Sequence, residues 1–322
     1  MTRILIVTAF WAPRIHVASN RALAFAKYLK KGGYQVTVLT LIESTSEKKE
    51  FFESTEDDFR IIRLNGKHLF NRSNFTEQSS YFKHKLKALK NKMLNRFIDD
   101  DIPGFYFSFL KNKNKLNLND FDFVLSSYAP LSAHLIALNL KLTMPQLKWI
   151  ADFRDEMSFL PGLSTNVKSR LLACEKQILS TCDIVTSVSE PLLNQFKSLD
   201  MKPSYLELRN GYDFDLVTDS EVQSEIFKIT YAGTFHGAMN PNLFLLAMAD
   251  FKKRNPEKKF AINFFCGTAV IQIPSGVKEN VRCYDKVIYD KLPEVLKDAS
   301  LLLLIQALSK RRVCFQGKLL II

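Results

Sequence analysis

The chain has 322 residues, which is too long for one compact core and suits two domains. Apolar residues make up 47% and charged residues 24%, as in ordinary globular proteins, and no apolar run approaches the roughly 18 residues of a membrane span. The five cysteines form no CxxC pair, which argues against a disulfide framework or a zinc site. Their scatter favours a reducing compartment such as the cytoplasm. The net charge of +12 favours an anionic partner without choosing its class.

A strand, a helix and a second strand open the chain. Residues 4–9 form a continuous apolar run, which is typical of a parallel strand covered on both faces. Residues 19–31 have a helical pattern that the pair Gly32-Gly33 ends, and residues 34–42 form the next strand. A helix of this length between two strands predicts a parallel sheet with a right-handed crossover.

The next stretch interrupts this alternation. Residues 43–58 are polar and predict a loop, residues 60–64 predict a short strand, and the sheet pattern lapses from Gly66 to Leu118. Within the lapse, residues 81–97 place apolar side chains at helical spacing, and the remaining positions carry six basic residues and no acid. Such a basic amphipathic helix either caps the domain as a solvated face or contacts an anionic membrane surface.

The alternation of strands and helices then resumes and continues into a second domain. Strands are predicted at 121–126, 147–151, 184–188, 205–208, 227–231, 260–266, 281–284 and 301–305, and helices at 131–140, 168–180, 190–199, 241–254 and 289–299. Asp, Ser and Glu accumulate at 212–226. This composition places the boundary between a first domain of residues 1–212 and a second domain of residues 213–322.

Polar residues follow several of these strands, at the edge where doubly wound sheets bind ligands. The loop of residues 11–21 carries Arg14, His16 and Asn20 and opens a helix whose free N–H groups suit an anion. A solvated turn capped by Ser19 fits the same residues. The loop therefore predicts either an anion site or a plain connection.

Two further loops carry candidate chemistry. Residues 151–156 hold three acids and an arginine, which fit a hydroxyl-binding site or an Asp–Arg pair that only fixes the loop. After the first strand of the second domain, Gly233 and Gly237 permit a phosphate to approach the backbone. The sequence contains no GxGxxG, no P-loop and no Cys/His spacing that suits a metal. It therefore predicts no metal site, and the dinucleotide interpretation is weakened.

Six segments of the chain together resemble the GT-B glycosyltransferases of family 4, in particular the bacterial branch with a "glycosyltransferase 4-like" N-terminal domain. They are ILIVTAFWAP at the start, SSYAPLSAHLIAL at 126–138, ADFRDEMS at 151–158, DIVTSVSEPL at 183–192, LRNGYD at 208–213 and YAGTFHG at 231–237. The resemblance spans nearly the whole chain. It implies an α/β protein of two Rossmann-like, doubly wound parallel-sheet domains, the first on the acceptor side and the second for the nucleotide-sugar.

The resemblance also implies a reaction and its partners. The enzyme would transfer a hexose from a nucleotide-sugar to a glycan or lipid-linked acceptor of a surface polysaccharide, with retention and without a metal or cofactor. Helix N-termini and basic side chains would stabilise the leaving diphosphate. The cytoplasmic protein would touch the inner face of the membrane through residues 81–97. No nucleic acid is expected as a partner, because no reader motif accompanies the basic charge.

Individual residues acquire roles through the same resemblance. Asp152, Arg154 and Asp155 would line the cleft as catalytic residues on the acceptor side. His134 either reaches this cleft or is a structural histidine on an apolar helix. The remaining acceptor-side residues are Arg14, His16 and Asn20. The residues that would bind the donor are Gly233, Thr234, Asn210, Gly211 and Lys318, with Asn210 and Gly211 at the interdomain crevice.

Two departures from the family pattern concern the second domain. Met239 stands where related sequences carry a basic residue, so that the cation that holds the diphosphate is either missing or supplied from elsewhere, for example by Lys318. A family glutamate expected near Ile321 is absent, which predicts a truncated and incomplete second domain. An inactive remnant or a sugar-nucleotide-binding module is therefore an alternative function, and a nucleic-acid-binding protein is a more distant one.

Overall fold

The chain forms two compact units in a computed structural model, the first comprising Met1–Asn210 and the second beginning at Gly211. The structure describes residues 1–12, 17–42, 50–66, 100, 102–211, 225–235, 239–267, 271–288 and 291–305. The predicted basic helix at 81–97 and the candidate residues Arg14, His16 and Lys318 lie outside these ranges. None of the described helices is long and apolar enough to cross a membrane.

An eight-stranded sheet forms the centre of the first unit. Its strands are β1 (Arg3–Val7), β2 (Gln35–Leu41), β3 (Phe51–Glu56), β4 (Phe59–Leu64), β5 (Phe123–Tyr128), β6 (Lys148–Phe153), β7 (Ile184–Ser187) and β8 (Ser204–Glu207). They lie in the order β3-β4-β2-β1-β5-β6-β7-β8, and all neighbours are parallel except β3 and β4. The strand order reverses between β1 and β5, so a topological switch point lies at the carboxyl ends of these two strands.

Helices cover both faces of this sheet. They are α1 (Val17–Lys31), α2 (Pro103–Asn112), α3 (Leu131–Thr143), α4 (Thr165–Thr181) and α5 (Glu190–Lys197). Strand β1 shows why its sequence is apolar throughout: Ile4 and Ile6 pack with α1, whereas Leu5 and Val7 pack in the larger core that includes α2 to α5. The prediction of a covered parallel strand at the start of the chain is confirmed.

One predicted loop is a strand instead. The loop prediction for residues 43–58 is wrong for β3, which forms an antiparallel hairpin with β4. The hairpin turns at Asp57 and Asp58, whose positive φ angles of 49° and 62° suit a tight two-residue connection. Since β3 lies at the sheet edge, cross-strand ion pairs with arginines of β4 take the place of an apolar pattern.

Helix α2 is another element that the sequence did not predict. Seven of its ten residues are apolar, aromatic or glycine, with Pro103 at the first turn and Phe105 and Phe109 completely buried. Its exposed face carries the aromatic Phe107, so the sequence shows no clear alternation of apolar and polar faces. The lapse in pattern from Gly66 to Leu118 therefore does not mean that the whole stretch lacks regular structure.

A four-stranded parallel sheet forms the second unit. Its strands β9 (Phe227–Ala232), β10 (Phe260–Phe265), β11 (Val281–Tyr284) and β12 (Leu301–Leu302) lie in the order β11-β10-β9-β12. The helices are α6 (Asn242–Arg254), α7 (Leu292–Leu296) and a 3-10 helix at Ser275–Asn280. Parallel α/β sheets are thus confirmed in both units.

The last two predicted elements are shorter than expected. The helix predicted at 289–299 is the five-residue α7, with Pro293 in its first turn, and residues 289–290 are not described. The strand predicted at 301–305 pairs with β9 only at Leu301 and Leu302. Proline suits only the start of a helix, because it lacks the N–H that an interior position must donate.

Candidate active site at the carboxyl edge of the first sheet

A buried ion pair lies at the carboxyl end of β6. Asp152 is completely buried, and Arg21 of α1 binds it through two hydrogen bonds, Nε to Oδ2 at 2.9 Å and Nη2 to Oδ1 at 2.7 Å. Ser127 and Thr186, its direct register partners on β5 and β7, donate their hydroxyls at 3.2 Å and 2.7 Å. Four donors therefore satisfy this carboxylate, as a charge sealed from water requires.

The Arg21 guanidinium also binds residues near the end of the first unit. Arg21 donates through Nη1 to the Asn210 side chain and through Nη2 to the Leu208 carbonyl, each at 2.9 Å. Asn210 is the last residue of this unit, whereas Gly211 is exposed and a Cβ there would meet nothing within 4 Å. The resemblance assigns both residues to donor binding, which stays a prediction. Within the described residues, Asn210 helps to fix the chain at the carboxyl edge, and Gly211 makes no contact of this kind.

Arg154 binds backbone carbonyls and does not pair with Asp152. The structural alternative for residues 151–156 was an internal Asp–Arg pair, but the arginine that pairs with Asp152 is Arg21. Arg154 donates to two backbone carbonyls in the loop after β5, those of Tyr128 at 2.7 Å and Ala129 at 2.8 Å. Burial lowers the pKa of Arg154, and the nearby Asp155 carboxylate opposes this shift. The guanidinium remains a cation that holds this loop in place.

The two acids that follow Arg154 differ in exposure. Asp155 lies exposed, whereas Glu156 is only 7% exposed. Two residues further along, both the hydroxyl and the amide of Ser158 donate to the fully buried Glu175 of α4. Burial raises the pKa of Glu175 to about 7, against the lowering effect of these two donors. Glu156 and Glu175 were not among the predicted site residues.

His134 is completely buried beneath the site. Its Nδ1 lies 2.7 Å from the Ser126 hydroxyl, which also accepts a hydrogen bond from Trp149 Nε1 at 2.8 Å. Its Nε2 has no hydrogen-bond partner among the described residues. Burial lowers the pKa of His134 to about 3, with a smaller opposing effect of Asp152. A neutral imidazole sealed from solvent favours the structural alternative over a catalytic role, which stays an untested prediction.

Asn20 is the remaining described residue of the acceptor-side set. It lies half-buried in α1, next to Arg21 in the chain. The sequence pattern marked this loop but did not mark Arg21 as a site residue. Arg21 could have been found as a lone arginine among apolar helix residues. A lone aspartate at the end of an apolar strand was its candidate partner, because each buried charge needs one.

The donor-side glycine ends the first strand of the second unit. Gly233 has a φ of 149°, which side-chain-bearing residues rarely adopt, and its amide donates to the Phe265 carbonyl at 3.0 Å. Thr234 follows it and is exposed. The next residue, Phe235, stacks on Tyr231 with ring centroids 4.4 Å apart. The backbone at Gly233 therefore turns away from the sheet at its carboxyl edge, where the predicted diphosphate site lies.

Metal ligands are not grouped in the described parts of the chain. No set of three or more His, Cys, Asp or Glu side chains there could hold a metal ion. The carboxyl edge of the first sheet therefore presents carboxylates, hydroxyls and two arginines as its chemistry. Carboxylates and hydroxyls accept hydrogen bonds from ligand hydroxyls, and guanidinium groups donate to anions and carbonyls.

No protein-family model matches the chain, and no curated protein matches it in sequence. Solved structures do match, although their identity is low. The N-terminal domain of Candida albicans trehalose-6-phosphate phosphatase is 14% identical with a TM-score of 0.60, and the match covers 95% of this chain and 77% of that one. The UDP-forming α,α-trehalose-phosphate synthase from Burkholderia xenovorans, solved with glucose-6-phosphate, is 9% identical with a TM-score of 0.59, over 92% and 77%.

A third match is the catalytic domain of starch synthase IV from Arabidopsis thaliana, bound to ADP and acarbose. It is 11% identical with a TM-score of 0.50, over 94% of this chain and 77% of that one. The chain has the GT-B fold. At these identities the likeness to GT-B enzymes concerns the fold alone, and activity has to be argued from the site.

Proposed function

We propose that this GT-B chain is a retaining, metal-independent glycosyltransferase that moves a hexose from a nucleotide-sugar to a glycan or lipid-linked acceptor. The observation that carries the proposal is the set of family-4-like segments that ends the strands of this fold, ADFRDEMS, LRNGYD and YAGTFHG. The match over more than nine-tenths of the chain to two synthases agrees with it at the level of the fold. One of these is named UDP-forming, and another was solved with ADP and acarbose. The residue-level resemblance to family 4 supports the retaining mechanism and the surface glycan.

The second unit would hold the donor. Gly233 ends β9 at the carboxyl edge of the second sheet with its own amide bonded to Phe265, so the exposed Thr234 that follows it would supply the hydroxyl donor to a phosphate. Backbone N–H groups at the start of α6 would face the negative charge that develops on the leaving diphosphate. Such preorganised donors stabilise the transition state because they need not reorient as the charge appears.

The first unit would hold the acceptor. Asp155 is exposed at the carboxyl edge of the sheet and is available to accept a hydrogen bond from a sugar hydroxyl. Arg154 and Asp152 would act indirectly, because their hydrogen bonds go to the protein itself. We infer that they position the loops on which the acceptor rests, as preorganised binding sites require.

Calorimetric titration of the whole chain with UDP, GDP, ADP and their sugar conjugates tests the donor site. We expect one nucleotide to bind with micromolar affinity and Thr234→Tyr to weaken it at least about tenfold, since the larger ring fills the phosphate position. Lys259→Tyr is the matched control, because it adds the same ring to an exposed position at the opposite edge of this sheet. If no nucleotide binds to the folded chain, the proposal fails.

A sugar-nucleotide-binding module is the second candidate, favoured by Met239 at the place of the expected basic residue. It predicts nucleotide binding without transfer. Assays that follow release of the nucleotide with added glycans, in the presence and absence of EDTA, separate the two functions. Turnover that EDTA does not reduce would support the enzyme and its metal independence.

Membrane contact through residues 81–97 is part of the same proposal for a lipid-linked acceptor. The run carries six basic residues and no acid, which suits an anionic lipid surface. Cosedimentation with phosphatidylglycerol vesicles should exceed that with phosphatidylcholine vesicles and fall as salt is added. Binding that persists after its lysines are replaced by glutamine would contradict this contact.

A further inference from the structure

The loop after β6 is held at both of its ends. At the first end, Arg154 donates to the carbonyls of Tyr128 and Ala129. At the other end, Ser158 is buried and donates to the buried Glu175 of α4. The residues between these anchors are thereby kept in one position at the carboxyl edge of the sheet. A ligand that binds there meets a loop that has already lost its conformational freedom.

Glu156 lies within this anchored loop and has no partner. It is 93% covered, yet within the described chain no hydrogen bond or ion pair reaches its carboxylate. Its carboxylate oxygens are also not completely sealed from water, unlike unpaired buried atoms such as His134 Nε2. Its carboxylate oxygens therefore keep some contact with solvent, although the residue as a whole is covered. The exposed Asp155 precedes it in the same anchored loop.

This arrangement is costly for folding unless something else uses it. Proteins pair nearly all their buried polar groups, and the Glu156 carboxylate, which keeps only part of its contact with solvent, gains no internal donor in exchange. Asp152, four residues earlier in the chain, receives four hydrogen bonds. An acid that is fixed, covered and unpaired at the ligand-binding edge is a group prepared for an external donor.

The charges in this loop select the kind of donor. The negative charges of Glu156 and Asp155 would repel a phosphate. Arg154, the nearby cation, already donates to two backbone carbonyls. The described residues provide no third carboxylate, histidine or cysteine with which these acids could hold a metal ion. Sugar hydroxyls are the donors that the proposed function brings to this edge, and they form charge-assisted hydrogen bonds with carboxylates.

We propose that Glu156, together with Asp155, forms the acceptor subsite and binds the hydroxyls of an uncharged sugar in preference to a sugar phosphate. This inference rests on the proposed function and names the acceptor class of that same site. It also distinguishes this chain from the Burkholderia xenovorans synthase, which was solved with glucose-6-phosphate. Glu156 is a binding residue in this proposal and takes no part in proton transfer.

Saturation-transfer NMR with the 322-residue chain tests the subsite. The probes are glucose, galactose, mannose and N-acetylglucosamine, with glucose-6-phosphate as the charged counterpart. We expect at least one neutral sugar to bind in the millimolar range, glucose-6-phosphate to bind more weakly, and Glu156→Gln to weaken the neutral sugar about tenfold. That factor corresponds to the loss of one hydrogen bond to a charged group.

Two controls keep the outcome interpretable. Glu257→Gln removes the same charge from an exposed position of the second unit and should leave sugar binding unchanged. The thermal midpoint of Glu156→Gln should equal or exceed that of the wild type, since no internal bond is lost. A merely structural glutamate would instead lower the midpoint while sparing sugar binding.

The inference is overturned if none of the four neutral sugars binds, if Glu156→Gln binds them as well as the wild type, or if calorimetry shows Ca²⁺ binding that needs Glu156. Nucleotide titration of the same samples separates this result from the proposed function. A chain that binds sugar through Glu156 but binds no nucleotide keeps the subsite and loses the transferase. A chain that binds nucleotide but no sugar does the reverse.

Discussion

Acidic side chains at the two edges of the first sheet differ in their hydrogen-bond partners. At the amino edge, Asp183 accepts hydrogen bonds from the Trp149 amide at 2.8 Å and from Lys141 Nζ at 2.9 Å, and its side chain is 26% exposed. At the carboxyl edge, Asp152 is sealed with Arg21, whereas Glu156 has no partner within the described chain. The amino edge therefore follows the usual rule for stability, and the carboxyl edge combines one strict pair with one open acid.

A third acid at the carboxyl edge extends the contrast. Glu175 is buried without a cation, and its pKa is raised to about 7, so that it is largely protonated in mildly acidic solution. Asp152 is paired with a guanidinium, Glu175 accepts from Ser158 and has a raised pKa, and Glu156 has no internal partner within the described residues. The comparison indicates that two of these acids build the edge and that the third is left for a ligand.

The largest loss of stability is expected for Asp152→Asn, which tests this contrast most directly. The variant leaves the Arg21 charge buried without its counter-charge, so the free energy of unfolding of the first unit should fall by about 3 to 5 kcal/mol. Trp11 and Trp149 are the chain's two tryptophans, and both lie in the first unit. Urea unfolding followed by tryptophan fluorescence therefore reports this unit alone. A loss below about 1 kcal/mol would show that water reaches the pair.

A pH series on Glu175→Gln sharpens the comparison next. The folded pKa of Glu175 is about 7, above the ordinary value of 4.5, so its stabilising contribution is complete below pH 4.5 and is lost as the pH rises through 7. The neutral amide avoids this loss. Relative to the wild type, the variant should gain about 2 to 3 kcal/mol in unfolding free energy between pH 4 and pH 8.

The variant has to be compared with the wild type at each pH, because the contribution of His134 to stability changes with pH in the opposite direction to that of Glu175. Its folded pKa of about 3 lies below the ordinary 6.5, so its contribution is present above pH 6.5 and is lost as the pH falls toward 3. This loss is common to both proteins and cancels in the difference. An unchanged difference between pH 4 and pH 8 would mean that Glu175 is ionised throughout.

The smallest expected effect belongs to Asp183→Asn at the amino edge. Burial alone would raise the pKa of Asp183, but the Trp149 amide and Lys141 hold it below its usual value. Because the side chain is partly exposed, water can replace these bonds in the variant, and the unfolding free energy should fall by about 1 kcal/mol. The same urea series measures it. A loss as large as that of Asp152→Asn would remove the distinction between the two edges.

Local patterns predicted the elements that pack in the common way. Strand β1 was predicted because both of its faces are covered, and α1 because one of its faces is apolar. Helix α2 exposes the aromatic Phe107 and β3 lies at an edge, so neither shows the expected period. Each missed element departs from the pattern of apolar buried and polar exposed residues that the prediction assumes.

The candidate site could be predicted only in part for a related reason. Residues 151–156 were identified as a polar cluster after a strand, but Arg21 lies 131 residues from Asp152. Local sequence cannot assign partners over such a separation. Nor does it reveal that Arg154 binds carbonyls or that Glu156 is covered, because these facts depend on loops contributed by other strands.

The separation between Arg21 and its partners also orders events during synthesis. The side chain leaves the ribosome 131 residues before Asp152, which corresponds to roughly 7 to 26 s at ordinary rates of translation. During that interval α1 can pack on the early strands, but its guanidinium has no buried counter-charge to receive it. The nascent first domain therefore completes its carboxyl edge last, after the chain has been made through Asn210.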